Sequence, residues 1–399
     1  MKNKYFPTVL SLYINYFVHG MGVIILSQNM DALATKWSTN SAGVAWVISA
    51  LGIGRLIVLL VSGKLSDKFG RKPFVILGMI TYLAYFVGIL LSPNIQIAFV
   101  FGILAGIANS FLDAGTYPAL MESYPKAKGT MNVLIKAFIS GGQFLLPLIV
   151  AFIVSNNMWY GYSFILCIVI LVINGIFIAK VPFPPHTAEE AAKEGLEASV
   201  IEFKKQPKWY IDGIVFVVYG YISQATFYLV SQWLTKYGLS VVQMGELASR
   251  SLMSYYSVGS LACVFISSFL QQKGVKPRAL IVVYTFISMI TLGAVYLFPS
   301  PTVTSIGAFA IGFSAAGGVM QLGLTLMSEI YPYGKGTVTG IFYTSGSIAS
   351  FTIPVITGIM STTSIASIMG FDAVIAVIGF VCGIIIAIRH KQIVKEATR

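Results

Sequence analysis

Three ionisable side chains, His19, Arg55 and Asp113, stand inside long apolar stretches of this 399-residue chain. A charged group in hydrocarbon costs ~3 kcal/mol on insertion scales, so such residues face a cavity or each other. Asp113 is the candidate proton carrier, a carboxyl group whose protonation a neighbouring cation could switch by approaching or leaving. Arg55 could be that cation. Its planar fork could equally hold the carboxylate or phosphate of a cargo molecule through two parallel hydrogen bonds. His19 reads either as a proton relay or as a histidine buried in helix packing, and Arg55 with Asp113 also reads as a structural ion pair. Arg55 lies eight residues before Gly63, and Asp113 nine before Glu122 on a helix expected to run the opposite way. At 1.5 Å per residue both then sit ~12–14 Å from the helix ends, at nearly one depth.

Polar residues around them recur at the three-and-four spacing of a helix face. Asn109, Asp113 and Thr116 or Tyr117 form one stripe, and Asn15, His19 and Gly22 another. Tyr221, Gln224, Tyr228 and Ser231 follow the same spacing, as do Gly317, Gln321, Thr325 and Ser328. Asn132, Lys136, Ser140 and Gln143 add a fifth set. Such stripes serve either helix–helix hydrogen bonding or the lining of a site, one charged towards the N-terminus and lined by amides and phenols further along.

The elements that carry these groups are membrane spans. Apolar residues make up 56% and charged residues 10% of the chain, against about a quarter charged in soluble domains. Runs long enough to cross ~30 Å of hydrocarbon as helices fall at about 8–29, 43–62, 73–92, 96–121, 131–154, 160–179, 211–234, 250–270, 279–298, 303–327, 337–360 and 370–388. These predict twelve helices. The first follows Lys2 and Lys4 as a secretory signal would, but no small-residue cleavage site separates it from the second, so it is read as a span. With both termini cytoplasmic, 22 of the 26 Lys and Arg fall on cytoplasmic segments or the adjoining helix ends, Lys36, Lys236 and Arg250 fall outside, and Arg55 lies within a span. That asymmetry is the positive-inside pattern. The +12 net charge is scattered over short loops that face lipid headgroups, which argues against nucleic acid. Cys167, Cys263 and Cys382 all lie in apolar runs without metal-ligand spacing, so no metal site is expected. His19, His186 and His390 are far apart, and Gly334-Lys335-Gly336-Thr337 lacks the spacing of a phosphate loop, so neither an enzyme nor an ATP-driven pump is expected, and no cofactor.

One segment joins two spans with unusual chemistry: Gly63-Lys64-Leu65-Ser66-Asp67-Lys68-Phe69-Gly70-Arg71-Lys72. Gly63 is expected to let a helix end approach a neighbour, Gly70 to turn the chain with positive φ, Asp67 to cap or pair, and Arg71 to donate from its fork. Glu122, at the cytoplasmic end of the fourth span, is placed to be Arg71's partner. The chain also repeats: Glu122, Tyr124, Pro125, Lys128, Gly129, Thr130 and Pro147 recur 207 residues on as Glu329, Tyr331, Pro332, Lys335, Gly336, Thr337 and Pro354. A fainter echo of residues 68–73 stands at Gln272-Lys273-Gly274-Val275-Lys276-Pro277. Two six-helix halves follow, at 1–179 and 210–399, with a cytoplasmic linker at 180–209. In that linker Thr187 and Glu190 resemble a capping box, and Glu189 with Lys193 forms an i,i+4 pair.

The Gly63–Lys72 segment resembles the loop 2-3 motif of the major facilitator superfamily, G-x-x-x-D-[RK]-x-G-R-[RK], at every specified place. The resemblance implies an all-α membrane protein of twelve helices in two pseudo-repeat halves, with helices 1, 4, 7 and 10 lining a central cavity near mid-membrane. Asp113, Arg55 and His19 would then handle substrate and protons, with Asn109, Tyr117, Lys136, Gln143, Tyr221, Gln224, Tyr228, Gln321 and Thr325 as lining. Gly63, Asp67, Gly70, Arg71 and Glu122 would form a cytoplasmic gate that stabilises the outward-facing state. The expected function is proton-coupled symport of a small polar organic solute, an organic anion or sugar-like acid, by alternating access. The alternative is proton-driven efflux, demoted because Ser140-Gly141-Gly142-Gln143-Phe144-Leu145-Leu146-Pro147 lacks the Gly-Pro pair of drug/proton antiporters. A non-transporting membrane sensor is a remote third reading. The P-E-S-P-R element of sugar porters is replaced by Val181-Pro182-Phe183-Pro184-Pro185. Leu112-Asp113-Ala114-Gly115 weakly resembles proton-linked sugar permeases of the fucose type, whose helix 1 aspartate has no match near Gly22 and Val23. A small-molecule substrate, protons and the lipid bilayer are the expected partners of a monomer in the plasma membrane.

Overall fold

Hydrocarbon offers the backbone no hydrogen-bond partners, so chains that cross it close their own bonds as helices. The computed structural model follows that rule. It describes residues 4–124, 128–184, 204–331 and 335–394, so Thr187, Glu189, Glu190, Lys193 and His186 of the expected linker lie outside the described residues. Fourteen α-helices are described: α1 (Phe6–Gln28), α2 (Met30–Lys36), α3 (Ser41–Phe69), α4 (Arg71–Leu91), α5 (Ile95–Ser123), α6 (Lys128–Ser155), α7 (Tyr162–Lys180), α8 (Ile214–Ser240), α9 (Glu246–Gln272), α10 (Pro277–Leu297), α11 (Pro301–Ile311), α12 (Val319–Ile330), α13 (Lys335–Ser361) and α14 (Ile365–Ile393). A π-helical turn at Trp209–Gly213 leads into α8, and another at Gly312–Ala316 separates α11 from α12.

Among the described residues, eleven stretches are long and apolar enough to cross a membrane. The remaining expected span, 337–360, is helix α13. Its Ser345, Ser347, Ser350, Thr352 and Thr357 hydroxyls donate back to carbonyls of their own helix, which satisfies them in apolar surroundings.

The chain divides into two compact units, Met1–Leu196 and Glu197–Arg399, and the sequence repeat reappears in the internal packing of each. In the first, α3 packs on α5, α1 on α6 and α4 on α7; in the second, α9 packs on α11, α8 on α13 and α10 on α14. Glycines set the tightest approaches. A Cβ on Gly54 would collide with the Ile103 carbonyl of α5, and one on Gly106 with the Leu51 carbonyl of α3. Gly259 and Gly312 hold the same relation to Phe309 and Tyr256 in the second unit. Side chains fix the helix starts: Asn40 and Asn94 accept from the amides three residues on, and Ser300 and Ser364 do so at α11 and α14, satisfying amides that lack intrahelical partners.

Three expectations are corrected. The segment Gly63–Phe69 is not a loop but the last turns of α3, and Gly70 alone, at φ 90, turns the chain into α4. Gly63 therefore sits within a helix, and a Cβ there would meet nothing within 4 Å among the described residues, so none of them makes the expected close approach. Finally, α3 and α5 run the same way, not oppositely: Gly54 meets α5 at Gly106, Ser62 bonds the Ser110 carbonyl, and Ser66 bonds the Ala114 carbonyl. Two spans separated by one intervening span must run alike.

Candidate functional site

The crossing of α3 and α5 at Gly54 and Gly106 brings Arg55 beside the second helix. Arg55 stands 14 residues before the end of α3 and Asp113 10 before the end of α5, a level difference of ~6 Å at 1.5 Å per residue. The long arginine side chain covers that distance, and its Nη2 donates to Asp113 Oδ2 at 3.3 Å. From α1, the Tyr16 hydroxyl donates to the other carboxylate oxygen, Oδ1, at 2.6 Å. Arg55 and Asp113 are 15% and 22% exposed, whereas Tyr16 is fully buried.

The cluster extends along α1 and into α4. The His19 ring stands edge-on to Tyr16 at 5.7 Å, and its Nδ1 lies 2.6 Å from the Tyr82 hydroxyl. Tyr117, one turn beyond Asp113, meets the Tyr16 ring edge-on at 5.8 Å. Helices α1, α3, α4 and α5 therefore supply one connected group, Tyr82, His19, Tyr16, Asp113 and Arg55, with Tyr117 at its edge. A carboxylate held by one phenol and one guanidinium has all its charge compensated. A proton arriving on it, or an anion arriving on Arg55, would release a partner.

The other expected lining residues divide by exposure. Asn109 and Gln143 are buried in the first unit, and among the described residues neither amide atom of Gln143 has a hydrogen-bond partner; Lys136 is half-buried. In the second unit Tyr228 is buried. Gln224 is half-buried with its Cβ beside Gly346. Tyr221 shares a hydrogen bond with Thr352 at 2.8 Å. Gln321 and Thr325 are exposed; Gln321 Nε2 donates to the Tyr343 hydroxyl at 3.2 Å and Thr325 to the Gln321 carbonyl at 2.9 Å. The side chains of Asn132 and Ser328 lie outside the described residues. Tyr16, Tyr82, Tyr343 and Thr352 were missed by sequence reasoning. For Tyr343 a signal existed, since it stands 207 residues after Lys136 and so is its counterpart in the repeat.

The Gly63–Lys72 segment acts as a clamp on its own unit. Arg71 Nε and Nη2 both donate to Glu122 Oε1, at 3.1 and 2.9 Å. Its Nη1 donates to Ser66 Oγ at 3.1 Å, and Ser66 passes its own proton to the Ala114 carbonyl at 2.7 Å. Lys72 Nζ donates to the Ala179 and Val181 carbonyls at the end of α7, where a cation complements the helix dipole. The ends of α3, α4, α5 and α7 are thereby tied together. The Asp67 side chain lies outside the described residues.

The second unit keeps the backbone of this device and changes its charges. Gly274 repeats the turn of Gly70 at φ 91, but Val275 stands where Arg71 would recur. Glu329, the counterpart of Glu122, instead meets His390 Nε2 of α14 at 2.6 Å. Beside it Arg389 donates from Nε and Nη2 to the two oxygens of Asp212, whose side chain is completely buried. Neither Asp212 nor Arg389 was singled out from sequence, and His390 was named only as a histidine far from the other two.

Two units of long apolar helices, each packed on the same plan and one carrying a compensated acid and base within its spans, define a polytopic helical membrane transporter. Residues 12–354 match the sequence model of the Major Facilitator Superfamily, and the chain belongs to that superfamily. It is 55% identical over 392 residues to the inner membrane transport protein YdiM of Escherichia coli strain K12, covering 98% of this chain and 96% of that protein. It is 41% identical over 394 residues to the uncharacterized MFS-type transporter YfkL of Bacillus subtilis strain 168, covering 98% and 99%. Among solved structures, a D-xylose–proton symporter superposes with a TM-score of 0.77 at 16% identity, over 96% of this chain and 97% of that one, a likeness of fold.

Proposed function

We propose that this transporter is a proton-coupled symporter of a small polar organic solute, with an organic anion or a sugar-like acid favoured, working by alternating access. The observation that carries the reading is the Asp113 carboxylate divided between Arg55 and Tyr16. Protonation of Asp113 weakens its hold on Arg55, freeing a guanidinium to take a cargo carboxylate in bidentate geometry. Return of Arg55 expels the proton. The two ligands of Arg55 thus exclude each other unless a proton binds with the cargo, which is the logic of symport. His19 and Tyr82 continue the group from α1 into α4 and serve as the proton's route to it.

Arg71 and Glu122 act as a gate on the cytoplasmic side, in a protein seated in the plasma membrane with both termini in the cytoplasm. The working unit is one chain, and its partners are protons, the solute and the bilayer. The experiment is uptake by purified protein in liposomes under an imposed proton gradient, screened against sugars, sugar acids and carboxylates. Accumulation that collapses with the gradient, and that Asp113→Asn abolishes while counterflow persists, supports the reading. Unchanged accumulation in Asp113→Asn, or transport of neutral solutes equal to that of anions, overturns it.

A further inference from the structure

The Glu197–Arg399 unit holds a buried carboxyl of its own. Asp372, in the second turn of α14, is completely buried, and among the described residues the Thr226 hydroxyl is the one donor within reach, with neither carboxyl oxygen meeting it at good hydrogen-bond geometry. The groups that face it are hydroxyls: Thr226 of α8, which lies beside the carboxyl, and Tyr256 of α9, itself completely buried with its oxygen without a hydrogen-bond partner. From α10, Tyr296 lays its ring against Gly370, two residues before Asp372. The other helices packed on α14 are α12 and α13. Their charged residues, Glu329 and Lys335, stand at the far ends, Glu329 against His390. Among the described residues no cation faces Asp372.

A carboxylate so placed would be a buried charge with no cation and at most one hydroxyl to hold it, which is costly. A proton removes the charge. Thr226 also borders a cavity of ≈ 30 Å³, whose other hydroxyls are those of Ser223, Thr285, Ser288, Ser314 and Tyr219. That is room for about two waters and too little for an organic cargo. Ser223, Thr285 and Ser314 give their own protons to carbonyls of their helices, so their oxygen lone pairs remain to accept from water. Ala376 and Gly379 wall the same cavity, and at three-and-four spacing from Asp372 they share its face of α14. The wall at Ser314 is the π-helical turn between α11 and α12, a helix irregularity of a kind frequent at functional sites.

We propose that Asp372, with Thr226 and Tyr256, is a second proton-binding site, lying wholly within this unit and exchanging with water in the hydroxyl-lined cavity. On release the carboxyl O–H bond breaks, the Thr226 oxygen takes that proton while giving its own to a cavity water, and the Thr226 and Tyr256 hydroxyls then donate to the carboxylate left behind. The site does not depend on Asp113 being the coupling residue, and its test needs no substrate.

The test is pH-titrated infrared difference spectroscopy of the full chain in liposomes. The expected result is a carbonyl band of a protonated carboxylic acid that shifts in D₂O and fades at alkaline pH. It should be lost in Asp372→Asn, kept in Asp113→Asn, and shifted in frequency and midpoint in Thr226→Val, which retains the acid should Asp372→Asn fail to fold. A wild-type spectrum without a band that tracks Asp372 overturns the proposal. So does a band indifferent to pH and D₂O, which marks a permanently neutral acid, and so does loss of the band on adding sodium chloride at constant pH, which marks a cation site.

Discussion

Tyr16 donates a 2.6 Å hydrogen bond to Asp113 from a helix 97 residues away in sequence, and it does so on the oxygen that Arg55 leaves free. Hydrogen bonds to charged groups contribute about 1.5–3 kcal/mol. Tyr16→Phe keeps the ring contacts with His19 and Tyr117 and removes only the donor. Uphill accumulation in liposomes should fall about tenfold while counterflow is retained. Equal loss of both would assign Tyr16 to cargo binding or folding instead.

The Arg71–Glu122 pair is 8% and 24% exposed, so solvent screens it in part and each single loss should cost about 1–3 kcal/mol, below the range for fully buried pairs. Arg71→Ala and Glu122→Gln should both lower the melting temperature in detergent and slow transport. Because the two residues share one interaction, the double variant should be hardly worse than either single. Additive losses would show that the residues act through different partners. Arg71→Lys should not restore function, since a lysine cannot reach Glu122 and Ser66 together as the fork does.

Asp212 and Arg389 form the matching test in the second unit. The Asp212 carboxylate is completely buried and held through both oxygens by Arg389, with the Lys208 amide donating to it as well, so removing Arg389 leaves a buried charge held by that amide, a loss of about 3 kcal/mol, the low end for a broken buried pair. Arg389→Ala should therefore be poorly folded, and Arg389→Ala with Asp212→Asn should recover much of the stability. The readout is the yield of monodisperse protein and its melting temperature. No recovery in the double variant would mean that Arg389 matters through another contact.

What the sequence disclosed follows from which residues are costly where they sit. Arg55 and Asp113 announced themselves because a charge in an apolar run needs a reason, and Arg71 and Glu122 because a motif and a repeat marked them. Tyr16 and Tyr82 did not, since tyrosine is common in this chain, at 21 residues, and composition does not tell which way a phenol points. Asp212 and Asp372 escaped through span boundaries: the expected spans began at 211 and 370, making both acids terminal, whereas the helical segments begin at Trp209 and Ile365 and bury them. Charge density made Gly63–Phe69 read as a loop, although its backbone continues α3 and only Gly70 leaves the helix.

That difference sets two glycines of one helix against each other. Gly63 belongs to the family motif, yet a Cβ there meets none of the described residues; Gly54 belongs to no motif, yet a Cβ there collides with the Ile103 carbonyl, as one on Gly106 does with that of Leu51. Both clashing atoms are backbone, so α3 and α5 must move apart to admit even a methyl group, and overpacking of this kind typically costs about 1–3 kcal/mol, occasionally more. The displacement would fall beside Arg55 and pull its guanidinium away from Asp113. Gly54→Ala and Gly106→Ala should therefore lower both the melting temperature and uphill accumulation. Gly63→Ala should fold as well as the parent, and being mid-helix should gain about 0.5–1 kcal/mol from the reduced backbone entropy of alanine. Folding assays on the three variants decide the matter. If Gly63→Ala destabilises as much as Gly54→Ala, a partner approaches Gly63 in another state of the transport cycle, and the motif glycine is conformational after all.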